Sequence, residues 1–128
     1  MILANAPISE YMSKVKWTVT PDETVAAAGE RMKEGGVHHL PVLDANGDLC
    51  GIVSALDLLR VAPEQRATAP VSDVMSADVE SVPSSTTVRE LLDRMGAVHF
   101  NAFPVVDDGK LVGIVTSADL EQLLYSDF

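Results

Sequence analysis

The chain has 128 residues, 47% of them hydrophobic, and its nine basic and nineteen acidic residues give a net charge of −10. This length suffices for one domain, or for two small halves that share a core. The acidity disfavours free-standing binding to nucleic acid or to anionic membranes, because both depend on neutralising phosphate. No apolar run approaches the ~20 residues of a membrane span, and the start lacks the pattern of a secretory signal. We therefore expect a cytoplasmic protein without membrane insertion.

The first half predicts a short extended piece, a helix, two strands and a second helix. Apolar residues at helical spacing follow Pro21, and Gly35-Gly36 is typical of a helix end. Two apolar runs around Asn46-Gly47 predict a hairpin. The predicted elements are the extended Thr18-Val19, a helix with Val25, Ala28 and Met32 on its apolar face, strands His39–Leu43 and Leu49–Val53, and a helix that begins at Ser54.

The second half repeats this order. A shift of 63 positions aligns Ile8–Ser13 with Val71–Ser76, and a shift of 62 aligns Gly51-Ile52-Val53 with Gly113-Ile114-Val115. The matching predictions are the extended Ser81-Val82, a helix with Val88, Leu91, Leu92 and Met95 on its apolar face, strands Ala102–Val106 and Leu111–Val115 around Asp108-Gly109, and a helix that begins at Thr116. We expect Gly96 to lie inside the last turn of the helix that contains Val88, so this helix has no glycine to end it.

The duplication predicts an α+β fold of two β-α-β-β-α repeats, residues 1–63 and 64–128, with Ala62–Val71 as the linker. One repeat leaves a sheet face uncovered, so we expect the two to pack sheet to sheet with pseudo-two-fold symmetry.

Each repeat ends on a hydroxyl residue followed three positions later by aspartate: Ser54 with Asp57, and Thr116 with Asp119. This spacing is typical of a capping box, which only stabilises a helix. The same spacing also suits ligand binding, because a carboxylate can accept two hydrogen bonds from ribose and helix amides can hold a phosphate. The sequence leaves both interpretations open.

Together these motifs resemble a tandem pair of CBS domains, the Bateman module. The likeness rests on the duplicated order, on Leu40-Pro41-Val42 and Phe103-Pro104-Val105 at the strand entries, and on the two Gly-Ile-Val-Ser/Thr-x-x-Asp ends, and it extends from about Ile8 to Leu124. The resemblance implies a module that binds an adenosine-containing ligand (AMP, ADP, ATP or S-adenosylmethionine) in clefts between the repeats and regulates a partner protein.

The resemblance also implies roles for individual residues. Ribose would be held by Ser54, Asp57, Thr116 and Asp119. The adenine-facing positions are Thr18, Val19, His39, Leu40 and Pro41 in the first copy, and Ser81, Val82, Ala102, Phe103 and Pro104 in the second. Phosphate would be held by His38, where the second copy has Asn101.

Lys14 and Lys16 are further candidates for phosphate contacts, because Asp78 and Glu80 occupy that region of the second copy. Residues 1–63 also carry a net charge of −3 and residues 64–128 one of −7. These differences predict that a phosphorylated ligand prefers the first copy.

No metal site is expected, because the adjacent His38 and His39 point to opposite faces of a strand. Cys50, the only cysteine, is expected to be a small buried hydrophobe. We expect no required cofactor beyond a regulatory ligand.

Three functions remain to be compared. The first is the regulatory module; the second is a dimerisation scaffold of the same fold that binds no nucleotide. The third, a nucleotide-transforming enzyme, is disfavoured because no nucleophile is paired with a base. We expect a homodimer through exposed helix faces with Leu56, Leu59, Leu120, Leu123 and Leu124, to which Tyr125 and Phe128 could add.

Overall fold

The computed structural model describes residues 3–98, 102–123 and 125. The helices are α1 (Val25–Gly35), α2 (Ala55–Leu59), α3 (Val88–Val98) and α4 (Ser117–Glu121). The strands are β1 (His39–Leu43), β2 (Leu49–Ser54), β3 (Ala102–Asp107) and β4 (Lys110–Thr116), and they form two antiparallel hairpins, β1–β2 and β3–β4. The predicted extended pieces are shorter than strands: Val19 and Val82 make single parallel bridges to Val42 and Val105. Each repeat has the predicted β-α-β-β-α order.

The chain folds into two compact units whose boundaries differ from those of the sequence repeats. One, the continuous unit, is Lys16–Val79; the other, the split unit, joins Met1–Val15 to Glu80–Phe128. The opening segment of each repeat therefore belongs to the unit that contains the rest of the other repeat. Ile8 and Val71, which the repeat aligns, are both fully buried, Ile8 in the split-unit core and Val71 in the continuous-unit core.

In the continuous unit, α1 packs against the β1–β2 hairpin. Thr24 caps its N-terminus, with its side chain accepting from the Ala27 amide at 3.1 Å. Gly36, in the left-handed conformation at φ 62°, ends the helix as predicted. The core residues are Val19, Val25, Ala28, Met32, Leu40, Val42, Val53, Leu58, Val61 and Val71.

The split unit repeats this arrangement with larger side chains. Its core residues are Ile8, Val82, Val88, Leu91, Phe103, Val105, Val115 and Leu120. Gly96 lies within α3, as predicted. Leu120 was predicted on an exposed face, and that prediction is wrong: the one-sided packing of α4 turns Leu120 into the core, with 6% of its surface exposed. Leu124 and Phe128 lie outside the described residues.

The segment predicted as a linker is an integral part of the continuous unit. The Val25 amide donates to the Ala69 carbonyl at 2.9 Å, and the Val71 amide donates to the Glu23 carbonyl at 2.8 Å. The split unit has the matching bonds, from Val88 to Ala6 (3.0 Å) and from Ile8 to Thr86 (2.8 Å). These hydrogen bonds explain how each opening segment is held on its unit.

The glycine of each Gly-Ile-Val motif is required by a close approach of the opening segment. Ile52 and Ser76 exchange two backbone hydrogen bonds, of 3.0 and 2.9 Å, which bring Met75 and Ser76 across Gly51. A Cβ atom on Gly51 would lie 2.9 Å from the Met75 sulfur and 3.0 Å from the Ser76 carbonyl oxygen. Gly113 is crossed in the same way by Met12 and Ser13. The glycine of the motif therefore marks the position at which the opening segment crosses the strand.

We expect Gly51→Ala to lower the free energy of unfolding by about 1–3 kcal/mol, because the added methyl group overpacks a site that the backbone closes. Urea denaturation measures the change. Gly96→Ala is the matched control: its Cβ would meet nothing within 4 Å, and in a helix it should raise stability by about 0.5–1 kcal/mol. A Gly51→Ala protein as stable as the parent would contradict the close approach.

Candidate functional site

Both hydroxyl–aspartate pairs form complete capping boxes. In the continuous unit the Ser54 amide donates to Asp57 Oδ2 at 2.8 Å, and the Asp57 amide donates to Ser54 Oγ at 3.1 Å. In the split unit the Thr116 amide donates to Asp119 Oδ2 at 2.8 Å, and the Asp119 amide donates to Thr116 Oγ1 at 3.3 Å. The structural role foreseen for these residues is therefore present in both copies.

The capping box uses only one oxygen of each carboxylate. Asp57 Oδ1 lies 3.3 Å from Arg60 Nη1 in an ion pair, and the arginine side chain of that pair is 75% exposed. An exposed pair of this kind contributes little, so Arg60 is easily displaced. For Asp119 Oδ1, no hydrogen bond or ion pair is found among residues 3–98, 102–123 and 125. Both aspartates thus retain an oxygen for an outside donor.

The amides at the start of α2 are largely used within the chain. Those of Ser54 and Asp57 donate inside the capping box, and the Ala55 amide donates to the His38 carbonyl at 2.9 Å. Of the four amides from Ser54 to Asp57, that of Leu56 has no hydrogen-bond acceptor among the residues that the structure describes, and it is open to an anion. A phosphate at this position would therefore depend on side chains more than on the helix end.

Strand register places His39, one of the adenine-facing candidates, beside the capping box of α2. His39 pairs with Ser54 across the hairpin, and Ala102 pairs with Thr116 at the equivalent place. Burial lowers the pKa of His39, as does the neighbouring His38, while the Asp57 carboxylate acts in the opposite direction. Burial thus favours the neutral form of the half-buried His39 imidazole, which lies near the Asp57 carboxylate. The split unit has an alanine there, so the two sites differ in chemistry.

The other adenine-facing candidates divide by exposure. Thr18 is half-buried and Ser81 is exposed. The remaining side chains are buried in the cores of their units: Val19, Leu40, Pro41, Val82, Ala102, Phe103 and Pro104. Their side chains are apolar and buried, so they offer no polar side-chain group to a ligand.

The phosphate candidates are exposed, and the two lysines fall in different units. Lys14 belongs to the split unit with Asp119, whereas Lys16 and His38 belong to the continuous unit with Asp57. Asn101 lies outside the described residues. Grouping the charges by compact unit gives a net of −5 for each. The charge difference between the sequence halves therefore does not exist between the folded units, because the opening segments change sides.

Two arginines at equivalent positions hold the extended pieces. Arg31 pairs with Glu23 and donates from Nη1 to the Thr18 carbonyl at 3.0 Å. Arg94 pairs with Glu80. Glu80, interpreted from the sequence as an acidic residue opposing an anion, is thus neutralised by Arg94. The alignment of Arg31 with Arg94 was visible in the sequence, but their partners depend on the fold.

Cys50 and possible metal ligands are the remaining candidates. Cys50 is half-buried rather than buried, and its thiol pKa is raised by burial and by the nearby Asp44. The described residues contain no cluster of three or more histidine, cysteine, aspartate or glutamate side chains placed to hold a metal. Among the described helices, none has the length and apolarity needed to cross a membrane.

Comparison with known proteins agrees with the duplicated architecture. The family model described as CBS domain matches residues 8–64 and again 71–126. An uncharacterised 17.7 kDa protein of Acidianus ambivalens is 32% identical over 118 residues, which are 91% of this chain and 72% of the relative. Inosine-5'-monophosphate dehydrogenase of Methanocaldococcus jannaschii is 35% identical over 87% of this chain, which spans only 22% of that enzyme.

A solved structure supports the same assignment. The crystal structure of the CBS domain pair of protein MJ0100, in complex with 5'-methylthioadenosine and S-adenosyl-L-methionine, matches with a TM-score of 0.83 and 26% identity. The match covers 93% of this chain and 99% of that one. From the two family matches and this fold, the chain belongs to the CBS domain family and is a tandem CBS pair protein.

Proposed function

We propose that this CBS pair is a regulatory module that binds an adenosine-containing ligand, such as AMP, ADP, ATP or S-adenosylmethionine, in the cytoplasm and modulates a partner protein. The observation that carries the proposal is the carboxylate in each capping box, fixed through Oδ2 and able to accept through Oδ1. The CBS pair of protein MJ0100, with two adenosine compounds bound, supports the ligand class.

The ribose hydroxyls are the donors that such a carboxylate suits. A vicinal diol can donate to one carboxylate, as acidic residues accept from ribose in dinucleotide-binding folds. The capping box holds the aspartate in one rotamer before the ligand arrives, which lowers the ordering cost of binding. We assign ribose to Asp57 and Asp119 with their cap residues Ser54 and Thr116, and a phosphate group to the exposed His38 and Lys16, with Lys14 a candidate in the split unit.

Regulation would follow from a difference in ligand affinity between two states of the module. The effect on a partner can be no larger than that difference. We propose no catalytic step, since both capping hydroxyls accept a helix amide within their own boxes, and the Thr116 hydroxyl donates to the Asp119 oxygen that the cap already holds. The competing proposal is a scaffold of the same fold that binds no nucleotide.

We also propose that the chain forms a homodimer. Leu56 and Leu59 on α2 are 70% and 65% exposed, and Tyr125 is 86% exposed. Apolar side chains grouped on a short helix favour burial against another protein surface.

We expect Asp57→Asn and Asp119→Asn each to weaken binding at its own site by about 10- to 100-fold, because a charge-assisted hydrogen bond to ribose becomes a neutral one. Asparagine keeps a carbonyl oxygen for the cap, so the folded unit is retained. Isothermal titration with AMP, ATP and S-adenosylmethionine, on protein freed of ligand, measures the loss. Absence of heat with all three compounds would favour the scaffold.

The phosphate assignment is tested by one substitution and two ligands. His38→Gln should weaken AMP binding several-fold and leave adenosine binding unchanged, because only AMP carries the phosphate. His39→Gln is the neighbouring control, expected to change both ligands together. If His38→Gln affects AMP and adenosine equally, His38 is not the phosphate contact.

We predict that His39 makes stability depend on pH. Since burial lowers the pKa of His39 below its ordinary value of about 6.5, the folded state favours the neutral imidazole. Its contribution is complete above about pH 6.5 and is lost as the pH falls through the folded-state pKa. Urea denaturation between pH 8 and 5 should show a steeper loss for the parent than for His39→Gln. His38→Gln should lose stability less steeply than the parent, because it removes the neighbouring charge that helps to lower the pKa of His39. Identical slopes for the parent and His39→Gln would contradict the prediction.

A further inference from the structure

The C-terminal ends of α2 and α4 carry opposite charges next to equivalent aspartates. The shift of 62 residues that aligns Asp57 with Asp119 also aligns Leu59-Arg60 with Glu121-Gln122. All four of these aligned residues are exposed. The two units have equal net charges, but the charged residue that follows the aspartate on its own helix is a cation in the continuous unit and an anion in the split unit.

The free carboxylate oxygens of the two aspartates also differ in their contacts. Arg60 Nη1 lies 3.3 Å from Asp57 Oδ1, and the arginine side chain is 75% exposed. Within the part of the chain that the structure describes, Asp119 Oδ1 has neither a hydrogen bond nor an ion pair, and Glu121 has no ion pair. A ligand that donates to Asp57 Oδ1 therefore displaces Arg60, whereas no described side chain has to leave Asp119 Oδ1.

Displacement of Arg60 has a different cost for anionic and for uncharged ligands. A neutral adenosine compound takes the carboxylate oxygen and leaves the guanidinium without its anion. A phosphate on the same ligand gives the guanidinium a new anion, and arginine can bind phosphate oxygens through two parallel hydrogen bonds. Arg60 thus exchanges one ion pair for another when the ligand is anionic, and loses its ion pair when the ligand is not.

We propose that Arg60 is a specificity-determining residue that makes the Asp57 site prefer adenosine compounds with an anionic 5' substituent. At the Asp119 site, the neutral Gln122 and the anionic Glu121 favour neutral or cationic compounds. AMP would then bind to the continuous unit, and S-adenosylmethionine, which carries a sulfonium cation, to the split unit. This inference rests on the ribose role proposed above for the two aspartates, and it names the ligand class for each site.

Proteins with a single ribose site measure the two preferences separately. Asp119→Asn retains the Asp57 carboxylate, and Asp57→Asn retains the Asp119 carboxylate. Each protein, freed of bound ligand, is titrated with AMP, adenosine and S-adenosylmethionine in a calorimeter. AMP should bind more tightly than adenosine at the Asp57 site and more weakly than adenosine or S-adenosylmethionine at the Asp119 site.

An exchange of residues between the sites tests Arg60 itself. In the Asp119→Asn protein, Arg60→Gln should lower the affinity for AMP by about three- to tenfold at low salt and leave the affinity for adenosine unchanged or slightly higher. In the Asp57→Asn protein, Gln122→Arg should raise the affinity for AMP relative to adenosine. Both effects should shrink at about 0.5 M NaCl, because salt screens exposed charges.

Two further substitutions in the Asp119→Asn protein control for charge and for folding. Arg60→Lys keeps the cation and should retain most of the preference for AMP. Arg89 on α3 is exposed and has no ion pair among the described residues. Arg89→Gln therefore changes the net charge as much as Arg60→Gln does, and it should leave the ratio of AMP to adenosine affinity unchanged. Since an exposed ion pair adds little stability, urea denaturation should show all of these proteins folded.

The failures of this inference and of the proposed function are distinct. A parent protein that binds none of the three compounds would overturn both. If Arg60→Gln changes the affinities for AMP and adenosine by the same factor, or if both sites rank the three compounds in the same order, selection by charge is overturned and the adenosine-binding module stands.

Discussion

The fold depends on the exchange of opening segments between the two repeats. Ser76 and Ile52 bond backbone to backbone above Gly51, and Ser13 and Ile114 do the same above Gly113. This contact explains the first half of the duplicated motif. Because glycine has no side chain, the opening segment can cross the strand closely at that position. The next residue, Ile52, forms backbone hydrogen bonds with the opening segment, and the Val53 side chain lies in the core.

The second half of the motif has both a structural and a proposed functional role, and the geometry shows how they coexist. A capping box needs one carboxylate oxygen, and it fixes the side chain in a single orientation. The second oxygen keeps its capacity to accept. Structural and ligand-binding interpretations of Ser/Thr-x-x-Asp are therefore compatible, and in the proposed function the cap would hold the acceptor in place for ribose.

Local features of the fold were predictable because their signals are local. Apolar runs on either side of glycine turns predict the hairpins, and the Gly35-Gly36 pair predicts the end of α1. The three-residue spacing of hydroxyl and aspartate predicts both capping boxes, and both are present. The unit boundaries were not predictable in this way. A linker rich in proline and alanine gives no sign that Ala69 and Val71 bond to the segment around the start of α1. The charge difference between the two sequence halves therefore does not carry over to the folded units.

The candidate site likewise has features that local sequence predicts and features that depend on tertiary structure. The aspartates and their caps could be predicted from spacing alone. The electrostatic environment of His39 could not, because it arises from the register that sets His39 across from Ser54. The partners of Arg31 and Arg94, and the burial of Leu120, likewise depend on packing. Sequence identified the residue types, and tertiary structure decided which charges remain unpaired.

The most direct test of the central claim is mass spectrometry of the small molecules that the protein retains through purification and releases on denaturation. The account predicts that an adenosine-containing compound is released from the parent, and that less of it is recovered when Asp57 and Asp119 are both changed to asparagine. A different class of compound, or equal recovery from the parent and the doubly substituted protein, would contradict the claim that the capping-box carboxylates hold the ligand's ribose.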